Sequence, residues 1–203
     1  MAGPSRTTRG PRADALRNRQ RVVQAASEIF AERGIRASVA DVAARAGVGN
    51  ATVYRSYPTK TELLAEVALL WLEQMERDSA AAAGADDPVA AFDGLIEIVF
   101  ERLRCDRLAA DLLREGNLTD AVAATRRRVE ANWTTALRRA AEAGAVRDDI
   151  TYADLSVLIL GTAERLSEMG VTDPTRWWRT AEFVRAAVAA PPPASSDASG
   201  AAG

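Results

Sequence analysis

Histidine is absent from the 203 residues, and cysteine occurs once, at Cys105. Without histidine there is no Ser-His-Asp or Cys-His nucleophilic centre and no His-bearing zinc site. The Glu-x-x-His pairs of a di-iron bundle are excluded for the same reason. A lone thiol makes no intrachain disulfide, which suits a reducing compartment. Aromatics are few, at 5%, and β-branched runs are short, so strand signals are nearly missing. The longest apolar run, residues 67–72, is far short of the ~20 residues a bilayer span needs. The first twenty residues carry arginines without an apolar segment, so no secretory signal is expected and a cytoplasmic location is. No metal or other cofactor is expected. Lysine occurs once, at Lys60, against 25 arginines, which reflects genome composition and says nothing of function.

What is present is a globular composition, 48% hydrophobic and 27% charged. The formal net charge of −2 conceals an asymmetry. Residues 1–60 hold eleven Lys/Arg against four Asp/Glu, and the remainder holds fifteen against twenty-four. A basic N-terminal part followed by an acidic body suggests different partners for the two, a polyanion for the first.

Alanine recurs throughout, and the apolar spacing predicts an all-α chain of nine helices. A basic arm over residues 1–11 precedes a first helix over 12–33, stopped by Gly34. Ser38 and Asp41 make a capping box for a short helix carrying Val39, Val42, Ala43 and Ala46 on one face. Gly47-Val48-Gly49 interrupts it, a second short helix covers 50–57, and Pro58 ends that one. Thr59 and Glu62 read as another capping box, opening a long helix to about residue 83. The next, 88–103, is apolar over much of its circumference (Val89, Phe92, Leu95, Ile96, Ile98, Val99, Phe100) and should be central. Helices follow over 106–115, stopped by Gly116, and over 119–144. Thr151 and Asp154 cap one running to Gly170. Asp173-Pro174 starts the last, which ends near residue 190. Residues 191–203, rich in Pro, Ala, Ser and Gly, are expected to be disordered.

Residues 38–57 are the informative stretch: capped short helix, tight turn, second short helix, a helix-turn-helix. In such a unit the second helix lies in the major groove and reads base edges with its N-terminal residues. Val53 can anchor that helix. Asn50, Thr52, Tyr54 and Arg55 offer hydrogen-bonding groups on its other side, and Ala51 permits close approach or meets a thymine methyl. Tyr54 and Lys60 can donate to phosphates, and Ser38 and Tyr57 complete the candidate DNA-binding set.

Residues 22–67 resemble the DNA-binding region of the TetR family of transcriptional regulators. The matching features are Ala26, Phe30, Gly34, Ser38-Val39-x-x-Val42-Ala43, Ala46-Gly47-Val48, Thr52-Val53-Tyr54 and Tyr57-Pro58-x-Lys60-x-x-Leu63-Leu64. Gly49 departs from the pattern, since the family usually carries serine there. The resemblance implies a helix-turn-helix domain over 12–75, after the arm, and a ligand-binding and dimerisation domain over 76–190. It implies a homodimer on a palindromic operator, a repressor released by a small apolar or aromatic effector, and no enzymatic activity.

Large apolar residues of the central helices are the candidate ligand contacts: Trp71, Met75, Phe92, Ile96, Phe100, Leu103, Leu113, Trp133 and Leu137, with Glu97, Glu101 and Asn132 as polar ones. Stripes on the last two helices are the candidate dimer contacts: Leu155, Leu158, Ile159, Thr162 and Leu166, then Trp177, Ala181, Val184 and Val188. Arg126-Arg127-Arg128 reads as a solvated helix face. Cys105 reads as an idle thiol, unless Arg102, Arg104 and Arg107 lower its pKa. Two other classes stay open. A sequence-blind architectural protein would bind random duplex as well as a palindrome, and a helical binding protein or enzyme would act through the pocket alone.

Overall fold

The computed structural model describes residues 11–114 and 118–191, with side chains from residue 14 onward except 110 and 112–114. Among these residues it has nine α-helices and no strand. Residues 1–10 of the predicted 1–11 arm, Gly116 and residues 192–203 of the predicted tail lie outside the described residues, and Pro11 belongs not to the arm but to the first helix. The helices are α1 (Pro11–Arg33), α2 (Val39–Ala46), α3 (Asn50–Ser56), α4 (Lys60–Gly84), α5 (Pro88–Cys105), α6 (Arg107–Arg114), α7 (Asp120–Glu142), α8 (Tyr152–Glu168) and α9 (Pro174–Val188).

Local chemistry sets the boundaries. Gly34 takes φ +66° after α1 and opens a single 3₁₀ turn, Gly34–Arg36. A side chain there would be strained by the left-handed backbone and would also run into the Asp111 carboxylate. That carboxylate accepts the Ile35 N–H at 2.9 Å. The predicted boxes at Ser38/Asp41 and Thr151/Asp154 form reciprocally. The one at Thr59 forms by half: its hydroxyl accepts the Glu62 N–H at 3.1 Å, but the Glu62 carboxylate faces the Thr59 hydroxyl (3.3 Å) rather than its backbone. Asp87 and Asp173 cap α5 and α9, each followed by proline at the first helical position.

Two cores form. Val22, Ile29 and Phe30 of α1 meet Val39, Val42, Val53 and the first half of α4 (Leu63, Leu64, Val67, Leu72), with Leu108 and Val122 closing the far side. Met75, Phe92, Leu95, Ile96, Phe100, Trp133, Leu137, Leu155, Ile159 and Trp177 build the other. α5 lies in its middle as expected, except that Ile98 is exposed. α4 therefore belongs to both cores, and Trp71, half-buried, packs against each. α4 and α7 run side by side in the same direction. Arg128 pairs with Glu76 (2.6 Å), Asn132 donates to the Ser79 hydroxyl (3.3 Å), and Arg139 donates to the Ala83 carbonyl (2.8 Å), in matching order. Past α9 the chain returns to the α7–α8 turn, where Arg147 N–H donates to Val188 O and Ala190 N–H to Ala145 O.

Candidate nucleic-acid interface and ligand cavity

α2 ends in a Schellman turn. Gly47 is left-handed (φ +66°, ψ 36°), Val48 N–H reaches Ala43 O at 3.0 Å and Gly47 N–H reaches Ala44 O at 3.2 Å. The turn redirects the chain so that α3 crosses α2 with Val53 fully buried. Asn50, Ala51, Tyr54 and Arg55 stand on the solvent side, with Thr52 half-buried beside them. Gly49 is the N-cap, extended at φ −77°, and supplies no side-chain acceptor.

The remaining residues of the candidate set are engaged inside the protein. The Ser38 hydroxyl (2.6 Å) and backbone N–H (2.9 Å) both donate to the Asp41 carboxylate and hold its pKa below the ordinary range, while the hydroxyl accepts the Asp41 N–H at 3.1 Å. Tyr57 is buried rather than displayed. Its hydroxyl accepts from Arg19 Nε at 3.0 Å, the same guanidinium lies over its ring, and burial pushes the phenol's pKa up. The Lys60 ammonium donates to the Ile35 carbonyl. Ile35 is thus held at both ends of its residue, by Asp111 of α6 and by Lys60 of α4. Part of the basic charge is also spent internally: Arg45 pairs with Glu28 (3.0 Å) and Glu32 (3.1 Å), and Arg33 with Asp41 (3.0 Å). Arg55 and Arg36 remain exposed.

A cavity of about 70 Å³ opens where α4, α5, α7 and α8 meet. Its walls are Trp71, Leu72 and Met75 (α4), Val99 and Leu103 (α5), Arg126, Val129 and Trp133 (α7), and Tyr152, Leu155, Ser156, Ile159 and Leu160 (α8). Of the candidate ligand contacts, Trp71, Met75, Leu103 and Trp133 line it. Phe92, Ile96, Phe100 and Leu137 pack one row behind. Phe92 meets the edge of Trp133 at 6.4 Å, Phe100 the edge of Trp177 at 6.5 Å, and all four are essentially buried. The side chain of Leu113 lies outside the described residues. The candidate polar contacts are each taken by another partner: Glu97 by Arg185 (2.6 Å), Glu101 by Arg104 (2.9 Å), and Asn132 by Ser79.

The polar groups carried by the cavity's lining residues are different ones. The indole Nε1 of Trp71 is buried and has no hydrogen-bond partner among the described residues. Arg126 is half-buried and on the wall, unlike the exposed Arg127 and Arg128, so the arginine triplet is not one solvated face. Its position is visible in the α7 stripe: Val122, Arg126, Val129, Trp133, Leu137 and Ala140 recur every three or four residues. The Tyr152 phenol, raised in pKa first by burial and then by Glu130 and partly offset by Arg126, lines the cavity too, as does Ser156.

The α8 and α9 stripes proposed for a partner face inward. Leu155, Ile159, Leu166, Trp177, Ala181, Val184 and Val188 are buried against the chain's own core, and only Leu158 and Thr162 are half-exposed. These helices complete the protomer first, and leave a different apolar set outside: Val157 (70% exposed), Met169 (55%), Trp178 (53%) and Phe183 (58%). Cys105 is exposed, and partial burial together with Glu101 pushes its thiol pKa up, opposite to an arginine-activated thiol. No described helix is long and apolar enough to cross a membrane.

Residues 22–67 match the profile described as bacterial regulatory proteins, tetR family. Residues 87–186 match that of the transcriptional regulator SbtR-like C-terminal domain. Among solved structures, a TetR transcription regulatory protein from Mycobacterium vanbaalenii is 26% identical, with 89% of this chain and 99% of that one covered and a TM-score of 0.59. The TetR family transcriptional regulator PfmR from Thermus thermophilus is also 26% identical, over 83% and 92%, with a TM-score of 0.59. A TetR transcriptional regulator from Streptomyces coelicolor, at 22% identity over 86% and 99% with a TM-score of 0.59, shares the fold. No curated protein matches the chain.

Proposed function

Since the chain belongs to the TetR family of bacterial regulatory proteins, we propose that it is a ligand-responsive transcriptional repressor acting as a homodimer on a palindromic operator, and not an enzyme. The observation that carries this reading is α3: seven residues long, anchored by the fully buried Val53, and turning Asn50, Ala51, Tyr54 and Arg55 to solvent. That is the division of labour of a helix read in the major groove. Arg55 and Asn50 supply the side chains suited to guanine and adenine edges, and Thr52 and Tyr54 flank them. Ser38, Tyr57 and Lys60 act behind this face by fixing it, through Asp41, Arg19 and the Ile35 carbonyl.

The small molecule enters the cavity of α4, α5, α7 and α8. At about 70 Å³ the cavity is well below the roughly 300–1,000 Å³ of ordinary small-molecule sites. A ligand that fits only a wider state shifts the population toward that state, which is what a release signal requires. α4 carries three of the lining residues and also part of the core of the reading domain, so widening is felt at α3.

Selection of genomic fragments on the purified protein, followed by sequencing, tests the reading. Enrichment of one palindrome is expected, and Arg55→Ala or Asn50→Ala should cost about 1–3 kcal/mol at a single base pair of it. Uniform recovery of all fragments would make the protein a sequence-blind DNA binder instead.

A further inference from the structure

Among the cavity's lining residues Trp71, Arg126, Tyr152 and Ser156 carry polar groups, and these select the chemistry of its occupant. A buried indole N–H without a partner is a donor removed from water, a cost that an incoming acceptor recovers. The acceptor must reach the cavity's α4 wall, where Trp71 stands. Arg126 lies on the adjoining α7 wall, brought alongside by the parallel register that sets Arg128 against Glu76. It is the one charged side chain among the lining residues. Tyr152 and Ser156 add hydroxyls from α8, and the other walls are apolar, with Met75, Leu103, Val129 and Leu155 among them.

Resting on the reading that this cavity is the effector site, we propose that its ligand is an anionic amphiphile. An apolar chain or ring system lies between Met75, Leu103, Val129 and Leu155, and an acidic oxygen such as a carboxylate accepts from Trp71 Nε1 beside the Arg126 guanidinium. A purely apolar effector leaves the indole N–H unmet, and a cationic one meets Arg126 with like charge. Charge-assisted bonds are about twice as strong as neutral ones, so the carboxylate gains over an alcohol of equal length. Because Trp71 packs against both cores, an occupant bonded to it touches the residue through which the cavity and the reading domain share α4.

The test is calorimetric titration of the full-length protein with decanoate, decanol and decylamine, alongside fluorescence titration with the neutral apolar reporter N-phenyl-1-naphthylamine. Decanoate is expected to bind about tenfold or more tightly than decanol, with decylamine weakest. Trp71→Phe keeps the ring and removes the N–H, and should weaken decanoate about tenfold. Arg126→Gln should abolish the preference of carboxylate over alcohol. Circular dichroism of both variants verifies that the helices are retained, and the ranking of the three probes on the unaltered protein stands independently of either variant. Binding of the reporter with equal affinities for the three probes would overturn the anionic assignment while leaving the cavity as effector site. Binding of neither reporter nor probes would overturn the cavity reading and the inference together.

Discussion

Gly49 is where residues 22–67 depart from the pattern they resemble, and the structure gives that departure a size. It stands at the N-cap of α3 with ordinary extended angles, its carbonyl takes the Thr52 N–H at 2.9 Å, and a Cβ there would meet no atom within 4 Å. Gly49→Ser should therefore stabilise the protein by about a few tenths of a kcal/mol, because a hydroxyl can accept an N–H of the first turn of α3. Urea unfolding of the two proteins checks it, and a loss of stability would contradict the geometry. Residue types at this scale were readable wherever one side chain meets its own backbone: Ser38 with Asp41, Thr151 with Asp154, Gly47 in its turn. Tyr57 was not. It is a polar residue whose place depends on a partner far along the chain, Arg19, and no local pattern records such a partner.

Elements were the most legible level, since a helix end is written in capping residues and prolines a few positions apart. Asp106 shows what such a cap can conceal. It accepts the N–H groups of Leu108 (2.9 Å) and Ala109 (3.3 Å) at the start of α6, yet burial raises its pKa above the usual carboxylate value, outweighing those bonds. The folded protein then keeps the proton to higher pH than the unfolded chain, whose value is about 3.9. The stability contributed by Asp106 is complete below that value and declines as pH rises through the folded one. Asp106→Asn retains an acceptor without the titration, so its stability relative to the parent should rise over that window, whereas Asp106→Ala, which loses the acceptor as well, should cost about 1 kcal/mol at low pH, a cost that shrinks over the same window. Denaturant unfolding between pH 3.5 and 7 separates the two. Asp41 and Asp154, whose pKa values are lowered by their bonds to Ser38 and Thr151, act with the opposite sign, losing their contribution as pH falls below about 4. Helix faces were harder to assign than helix ends. An apolar stripe says that something covers it, and for α8 and α9 the cover is the chain itself.

At the scale of the whole molecule, the exposed apolar residues of the last two helices define the expected dimer face. Val157 and Phe183 are mostly exposed, and Met169, Arg176, Arg179 and Thr180 line a shallow hollow beside Phe183. An isologous contact places each such residue near the two-fold axis twice over. Val157→Asp combined with Phe183→Asp should shift the protein to monomer in sedimentation equilibrium, with the helical signal unchanged. A dimer of unaltered stability would move the interface elsewhere. Two-fold pairing also fixes a distance, because reading helices on one DNA face must lie roughly 34–36 Å apart.

The length of α4 makes that distance sensitive. Its 25 residues amount to a rod of about 37 Å at 1.5 Å per residue. Met75 lines the cavity fifteen residues from Lys60, so on the proposed function a ligand would act near the middle of the rod and the operator would be read near its tip. Taking Met75 as a fulcrum, a tilt of about 5° carries the Lys60 end sideways by about 2 Å over a radius of about 22 Å. The two-fold axis mirrors the swing, and the spacing between tips changes by up to about 4 Å, more than a base-pair step of 3.4 Å. On the proposed function, a ligand that tilts α4 by that angle would carry the two reading helices out of register with the DNA.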